Sequence, residues 1–100
     1  MTFTENQIQL WNRMINLTSD YLESKIEFGY LVKSLEGLLD SGNYPEEITK
    51  KWFSNWVLLE MLYAEPVLPI SEAQKKDAAV KMKLYLGEEI KKQLNNHVNS

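Results

Sequence analysis

The residue type most often put to acid–base work occurs once, as His97, in a polar stretch running from Asn95 to Ser100. A catalytic imidazole needs a positioned partner and a second group to orient it. A terminus expected to fray supplies neither. Cysteine is absent, which excludes disulfides, thiolate nucleophiles and thiolate metal sites. The acids stand singly or in adjacent pairs, not as inward-facing Glu-x-x-His motifs, and no glycine-rich loop is present to cradle a phosphate. Glu46/Glu47 and Glu88/Glu89 are neighbours in sequence, so on a helix they point about 100° apart and cannot share one site. The first pair suits a helix N-terminus and the second a solvated face. No cofactor, metal site or catalytic residue is expected, and the chain is not expected to be an enzyme.

Glu60 is the one carboxylate in an apolar setting, with Trp56, Val57 and Ala64 a turn away. A buried carboxylate must be paired or pay a large desolvation cost, so Glu60 is expected either in a wet seam beside a Lys or Tyr hydroxyl or at a partner-binding surface. Lys75, Lys76, Lys81, Lys83, Lys91 and Lys92 could form a phosphate-binding stripe. However, Glu72→Lys76, Asp77→Lys81 and Glu88→Lys92 are all (i, i+4) pairs in the favourable order, which is how a solvent-facing helix is built. Trp52, Phe53 and Trp56 are expected in a core or interface and not as a stacking platform for bases.

The elements that must position these groups are helices. One hundred residues, 44% hydrophobic and 25% charged, make a single folded domain over 1–100, with enough apolar surface to need no staples. The net charge of −3 discourages nucleic-acid binding. It is uneven, with four bases against eight acids in residues 1–50 and seven against six in 51–100. The most apolar segment, Trp56 to Ala64, is interrupted by Glu60 and falls far short of the ~20 residues of a membrane span. The N-terminus shows no basic stretch followed by an apolar run, and a cytoplasmic location is expected.

A Thr2-x-x-Glu5 capping box opens a helix over about 4–23, with Ile8, Trp11, Ile15 and Leu22 inward. Ser24-x-x-Glu27 opens a second over 25–41, whose Phe28, Leu31, Val32, Leu35, Leu38 and Leu39 recur at steps of three and four. Gly29 and Gly37 in it are expected where another helix comes close, and Gly42 in the left-handed position after it. Pro45 opens a third over 45–64. There Ile48, Trp52, Trp56, Leu59 and Tyr63 form one face, Phe53, Val57 and Ala64 a second, and Leu58, Met61 and Leu62 fall near a third. Such all-round apolarity predicts burial on several sides. The Pro66–Pro69 connector leads to Ser71-x-x-Gln74 and a fourth helix over 72–94, with Ala79, Met82, Leu86, Ile90 and Leu94 inward and Val80 and Leu84 beside them. The expected fold is all-α, a compact four-helix bundle with mostly antiparallel neighbours.

The pattern Tyr21-Leu22-x-x-Lys25-Ile26-x-Phe28-x-x-Leu31-Val32-x-x-Leu35-x-x-Leu38-Leu39, followed by Trp52-Phe53-x-x-Trp56-x-x-Leu59-Glu60-x-x-Tyr63-Ala64, resembles a group of small helical bacterial proteins of unknown function. More distantly, the same order of features is similar to colicin D-type immunity proteins, helical inhibitors of a tRNA-cleaving toxin. That resemblance implies an acidic, toxin-facing patch, and the acidic excess in residues 1–50 accords with it. Two functions are therefore expected in order. The first is a non-catalytic interaction domain, either a homodimer or a small binding partner, with Leu58, Met61, Leu62 and Glu60 at the interface and Trp52 and Trp56 turned into the protomer's own core. A monomer with the Pro66–Pro69 connector folded over the third helix is the alternative to self-association. The alternative function is that of an immunity-like protein whose partner is a nuclease toxin. Neither a nucleic-acid nor a membrane partner is expected.

Overall fold

The computed structural model describes residues 2–64 and 71–99, with side chains as far as Asn95. The chain forms four α-helices: α1 (Glu5–Leu22), α2 (Phe28–Gly42), α3 (Glu46–Ala64) and α4 (Glu72–Asn99). No strand occurs among the described residues, and the fold is an all-α bundle. The Pro66–Pro69 connector and the side chain of His97 lie outside the described residues.

The helix ends show which local signals prevailed. The expected Thr2–Glu5 box gives way to the same motif two residues on. Thr4 Oγ1 accepts from the Gln7 amide at 3.1 Å while Gln7 Oε1 accepts from the Thr4 amide at 2.9 Å. Phe3 decides between them: it is buried and its amide donates to Gln93 Oε1 at 2.9 Å, so the chain turns into the helix only after it. At the other end Ser24 takes a left-handed conformation, φ 64°. The Ser24 amide donates to the Tyr21 carbonyl and the Lys25 amide to that of Asp20, which is a Schellman ending. A residue that closes one helix in this way cannot cap the next. The second helix therefore starts at Phe28 and not 25, with extended Glu27 before it and no side-chain cap.

Asn43, not Gly42, occupies the left-handed position after α2, at φ 49° and ψ 52°. Gly42 is the last helical residue and is pressed against the Tyr44 ring, which leaves no room for a Cβ. In α3 the Pro45 carbonyl accepts the first amides, from Ile48 and Thr49. The Ser71–Gln74 box forms as expected, with reciprocal bonds of 3.2 and 3.0 Å. Helix α4 continues to Asn99 where fraying was expected after 94. Once a helix is nucleated each further residue adds a bond at little cost, and no Gly or Pro follows Gly87 to stop it.

Antiparallel packing is visible in the cross-links between helices. Between α1 and α4, residue numbers fall on one as they rise on the other: Phe3 to Gln93, Trp11 Nε1 to the Leu86 carbonyl at 2.9 Å, and Tyr21 OH to Glu72 at 3.4 Å. Helices α2 and α3 are joined by Trp56 Nε1 donating to the Val32 carbonyl at 3.0 Å, and α3 and α4 by Tyr85 OH to the Ile48 carbonyl at 3.5 Å. Thus α1 and α3 each lie between α2 and α4, with α1 the more closely packed. Trp11, Met14, Leu31, Leu35, Trp52, Leu59, Met82 and Leu86 are fully buried, each contributing roughly 1.5–3 kcal/mol if burial is complete. Trp52 Nε1 meets Met14 Sδ at 3.4 Å, so all three indole N–H groups have partners.

Several inward assignments need correction. Leu94, Val80 and Leu84 are exposed, because the buried stripe of α4 runs through Ala78, Ala79, Met82, Leu86, Glu89, Ile90 and Gln93. Glu89 is therefore not on the solvated face expected of the Glu88/Glu89 pair. It is buried and accepts from Gln93 Nε2 at 3.0 Å, completing a chain of bonds that ends at Phe3. Gly29 does meet another helix, since a Cβ there would lie 2.7 Å from the Tyr63 ring, whereas Gly37 faces open space.

Candidate protein interface

Helix α3 carries more apolar surface than its neighbours cover. Its buried stripe is Trp52, Trp56 and Leu59, with both tryptophans turned into the core. The expectation of burial on several sides is not met: Phe53 is 37% exposed, Val57 39%, Leu58 42% and Met61 61%. The reason is geometric. Only α2 and α4 flank α3, with α1 across the core, so the outward third of the helix has no protein element against it among the described residues.

The four exposed side chains form one surface. Phe53, Val57 and Met61 follow at steps of four, and Leu58 lies beside them toward α4. Leu58, Met61 and the half-buried Leu62 form one wall of a groove whose other wall is Ala78, Asp77 and Lys81. Asp77 and Lys81 bridge at 3.3 Å. On the α2 side, Phe53 and Val57 floor a shallow depression rimmed by Glu36, Glu46, Lys50 and Glu60. Glu60 is thus exposed and needs no wet seam inside the bundle. Leu62, by contrast, packs against the core and offers less to a partner than Leu58 or Met61.

Phe53, expected in a core or an interface, and Val57, expected on a covered face, both stand at the surface, and no sequence signal singles out Lys50 beside them. The signal for the first two was the excess of apolar residues around α3, which says that something must cover them but not what. Phe53 also packs on aromatic neighbours: its ring meets Trp52 edge-on at 5.1 Å and Trp56 at 5.6 Å, while the two indoles stack at 5.6 Å. An aromatic side chain standing partly out of the surface in this way can serve as an interface anchor.

The polar groups do other work. Tyr21, Tyr44 and Tyr85 all have phenols raised above the ordinary tyrosine range. Burial is the largest cause in each, joined by the Glu72 carboxylate at Tyr21, which reaches about 12, and by Glu89 at Tyr85. Each stays protonated at neutral pH and acts as a donor: Tyr44 OH to the Gln7 carbonyl at 2.7 Å, Tyr21 OH to Glu72. The lysines of α4 are arranged differently from the sequence pairing. Glu72 bridges Lys75 at 3.5 Å and not Lys76, because Lys76 Nζ turns to Ser24 Oγ at 3.3 Å, while Lys75 also lies 5.4 Å over the Phe28 ring. Of the bridges among the described residues, only Asp77–Lys81 is one of the expected pairs. No described helix is long and apolar enough to cross a membrane. Comparison with protein-family models, with curated proteins and with solved structures finds no match to this chain.

Proposed function

We propose that this chain is a non-catalytic protein-interaction domain whose partner is a second copy of itself, joined through the outward face of α3. The observation that carries this reading is the continuous exposure of Phe53, Val57, Leu58 and Met61, between 37 and 61%, on a helix whose inner face is already satisfied. A contiguous apolar patch on a protein surface is often functional, aromatic and Met side chains are enriched in interface cores, and a two-fold dimer is the default closed assembly. The protonated, hydrogen-bonded state of the three raised tyrosines speaks against a phenolate nucleophile or base.

Sedimentation equilibrium from micromolar to hundred-micromolar concentration tests the proposal. The expected result is a reversible dimer of the 11.7 kDa chain, shifted to monomer by Leu58→Glu or Met61→Lys with helical circular dichroism retained. A monomer across the whole range would end the proposal. A dimer indifferent to both substitutions would remove this face from it.

A further inference from the structure

We infer that the cleft between α1 and α2 is a binding site for a short peptide of about three residues with both of its termini free. This goes beyond the self-association reading, since no residue of the cleft belongs to the outward face of α3. The cleft holds about 580 Å³, within the roughly 300–1,000 Å³ of small-ligand sites. Arg13, Asn16 and Asp20 line it from α1, and Tyr30, Ser34 and Gly37 from α2. Tyr21 meets Phe28 at one end of this helix pair, and Gln7 Nε2 donates to the Gly42 carbonyl at the other. The two helices are therefore antiparallel, in a register that sets Tyr30 about level with Asp20 and Gly37 about level with Arg13.

The charges at the two ends select the ligand. Arg13 is the only arginine of the chain, and neither it nor Asp20 forms an ion pair among the described residues. They lie two helical turns apart, so both face the same cleft with their backbones about 10 Å from one another. A simple anion at Arg13 would leave Asp20 without a partner, and a simple cation at Asp20 would do the same to Arg13. A zwitterion with its charges about 10 Å apart satisfies both, and an extended chain of about three residues spans that length. Its carboxylate takes the planar fork of the Arg13 guanidinium. Its ammonium group lies between the Asp20 carboxylate and the ring of Tyr30, which is 59% exposed and able to cover a cation with its face. Asn16 and Ser34 stand between the two ends and offer donors and acceptors to the peptide groups, above an apolar floor of Leu17 and Leu38. Gly37 keeps the Arg13 end open. A Cβ there would meet nothing within 4 Å, so the missing side chain serves no packing within the chain, although glycine disfavours a helix interior.

Titration of the isotope-labelled full chain with trialanine tests this through amide NMR shifts, at about pH 6.5 where both peptide termini are charged. Saturable shifts are expected at Asn16, Ser34 and Gly37. N-acetylation and C-amidation of the probe are each expected to raise the dissociation constant about tenfold or more, as the loss of a charge-assisted bond. Alanine itself, too short to reach both charges, is expected to bind as weakly. Arg13→Gln should bind trialanine and its amide alike, and Asp20→Asn should bind trialanine and its acetyl form alike. Gly37→Leu fills the Arg13 end and should weaken binding about tenfold or more, with helical circular dichroism retained. Met61→Lys, on the face assigned to self-association, should bind the peptide as the unmodified chain does, so that failure of one reading is seen apart from failure of the other. The inference is overturned if millimolar trialanine gives no saturable shift in the cleft, or if the blocked peptides bind as well as the free one. It is overturned equally if Arg13→Gln keeps the preference for a free carboxylate, or if Gly37→Leu binds unchanged.

Discussion

Tyr44 does three jobs that no other residue type combines. Its hydroxyl donates to the Gln7 carbonyl at 2.7 Å, its ring closes over Gly42, and its edges meet Phe3 and Trp11 at 5.1 and 5.3 Å. Tyr44→Phe keeps the last two and is expected to cost about 1 kcal/mol in urea unfolding. Gly42→Ala disturbs all three, because the new methyl meets a buried ring, and a loss of roughly 1–3 kcal/mol is expected. Gly37→Ala, in open space on the same helix, should instead stabilise by about 0.5–1 kcal/mol. The raised tyrosines also set an alkaline limit. A phenol whose folded pKa exceeds the unfolded 10.0 contributes stability in full below pH 10, and loses it as pH rises toward the folded value. For Tyr21, with a folded value of about 12, the window is pH 10 to 12. Urea midpoints should fall across it, less steeply in Tyr21→Phe, and a flat profile up to pH 12 would contradict the burial-driven shift. The burial of the tryptophans was legible from residue type and spacing. That of Glu89 and Gln93 was not, since Glu88 and Glu89 are alike in sequence and only the rotation of α4 separates them.

Among the elements, the four helices were legible because their apolar residues recur at steps of three and four, while their ends depended on distant contacts. Thr2 and Thr4 carry the same capping signal, with Glu5 and Gln7 at the required spacing. Burial of Phe3 against Gln93, ninety residues away, decides for Thr4. Thr4→Ala should therefore lower stability by about 1 kcal/mol, and Thr2→Ala should leave the urea midpoint unchanged. Equal effects would mean that the chain samples both starts. Ser24 shows the same limit, because a Ser-x-x-Glu spacing cannot reveal that the serine is already committed to closing the preceding helix. For α3 the sequence showed an excess of apolar residues but not its distribution. Which of them a four-helix arrangement leaves outside depends on the two neighbours that α3 actually has. Phe53, expected in a core or an interface, is therefore assigned to the surface only by the fold, as is Val57.

At the scale of the whole molecule, the bundle does not hold its helices equally. Helix α1 and the Phe3 before it are tied to α4 at Phe3, Trp11 and Tyr21, and α1 is tied to α2 through Gln7 and to the α2–α3 connector through Tyr44. Helix α3 packs more lightly on both its neighbours, and an apolar third of it is left uncovered by the other described residues. Local stability follows such packing, and the least buried element opens first in hydrogen exchange. In a protomer on its own, amides of α1 should exchange most slowly and those in the middle of α3 measurably faster. A partner that binds only the folded chain stabilises it by mass action, so raising the protein concentration through the dimerisation range should slow exchange from Trp52 to Met61 in particular. The thermal midpoint should rise with concentration at the same time. The Met61→Lys variant should show the dilute-solution pattern at every concentration. Protection that increases uniformly over all four helices would place the stabilising contact elsewhere. Protection of α3 equal to that of α1 at high dilution would show that the bundle already secures this helix without a second copy.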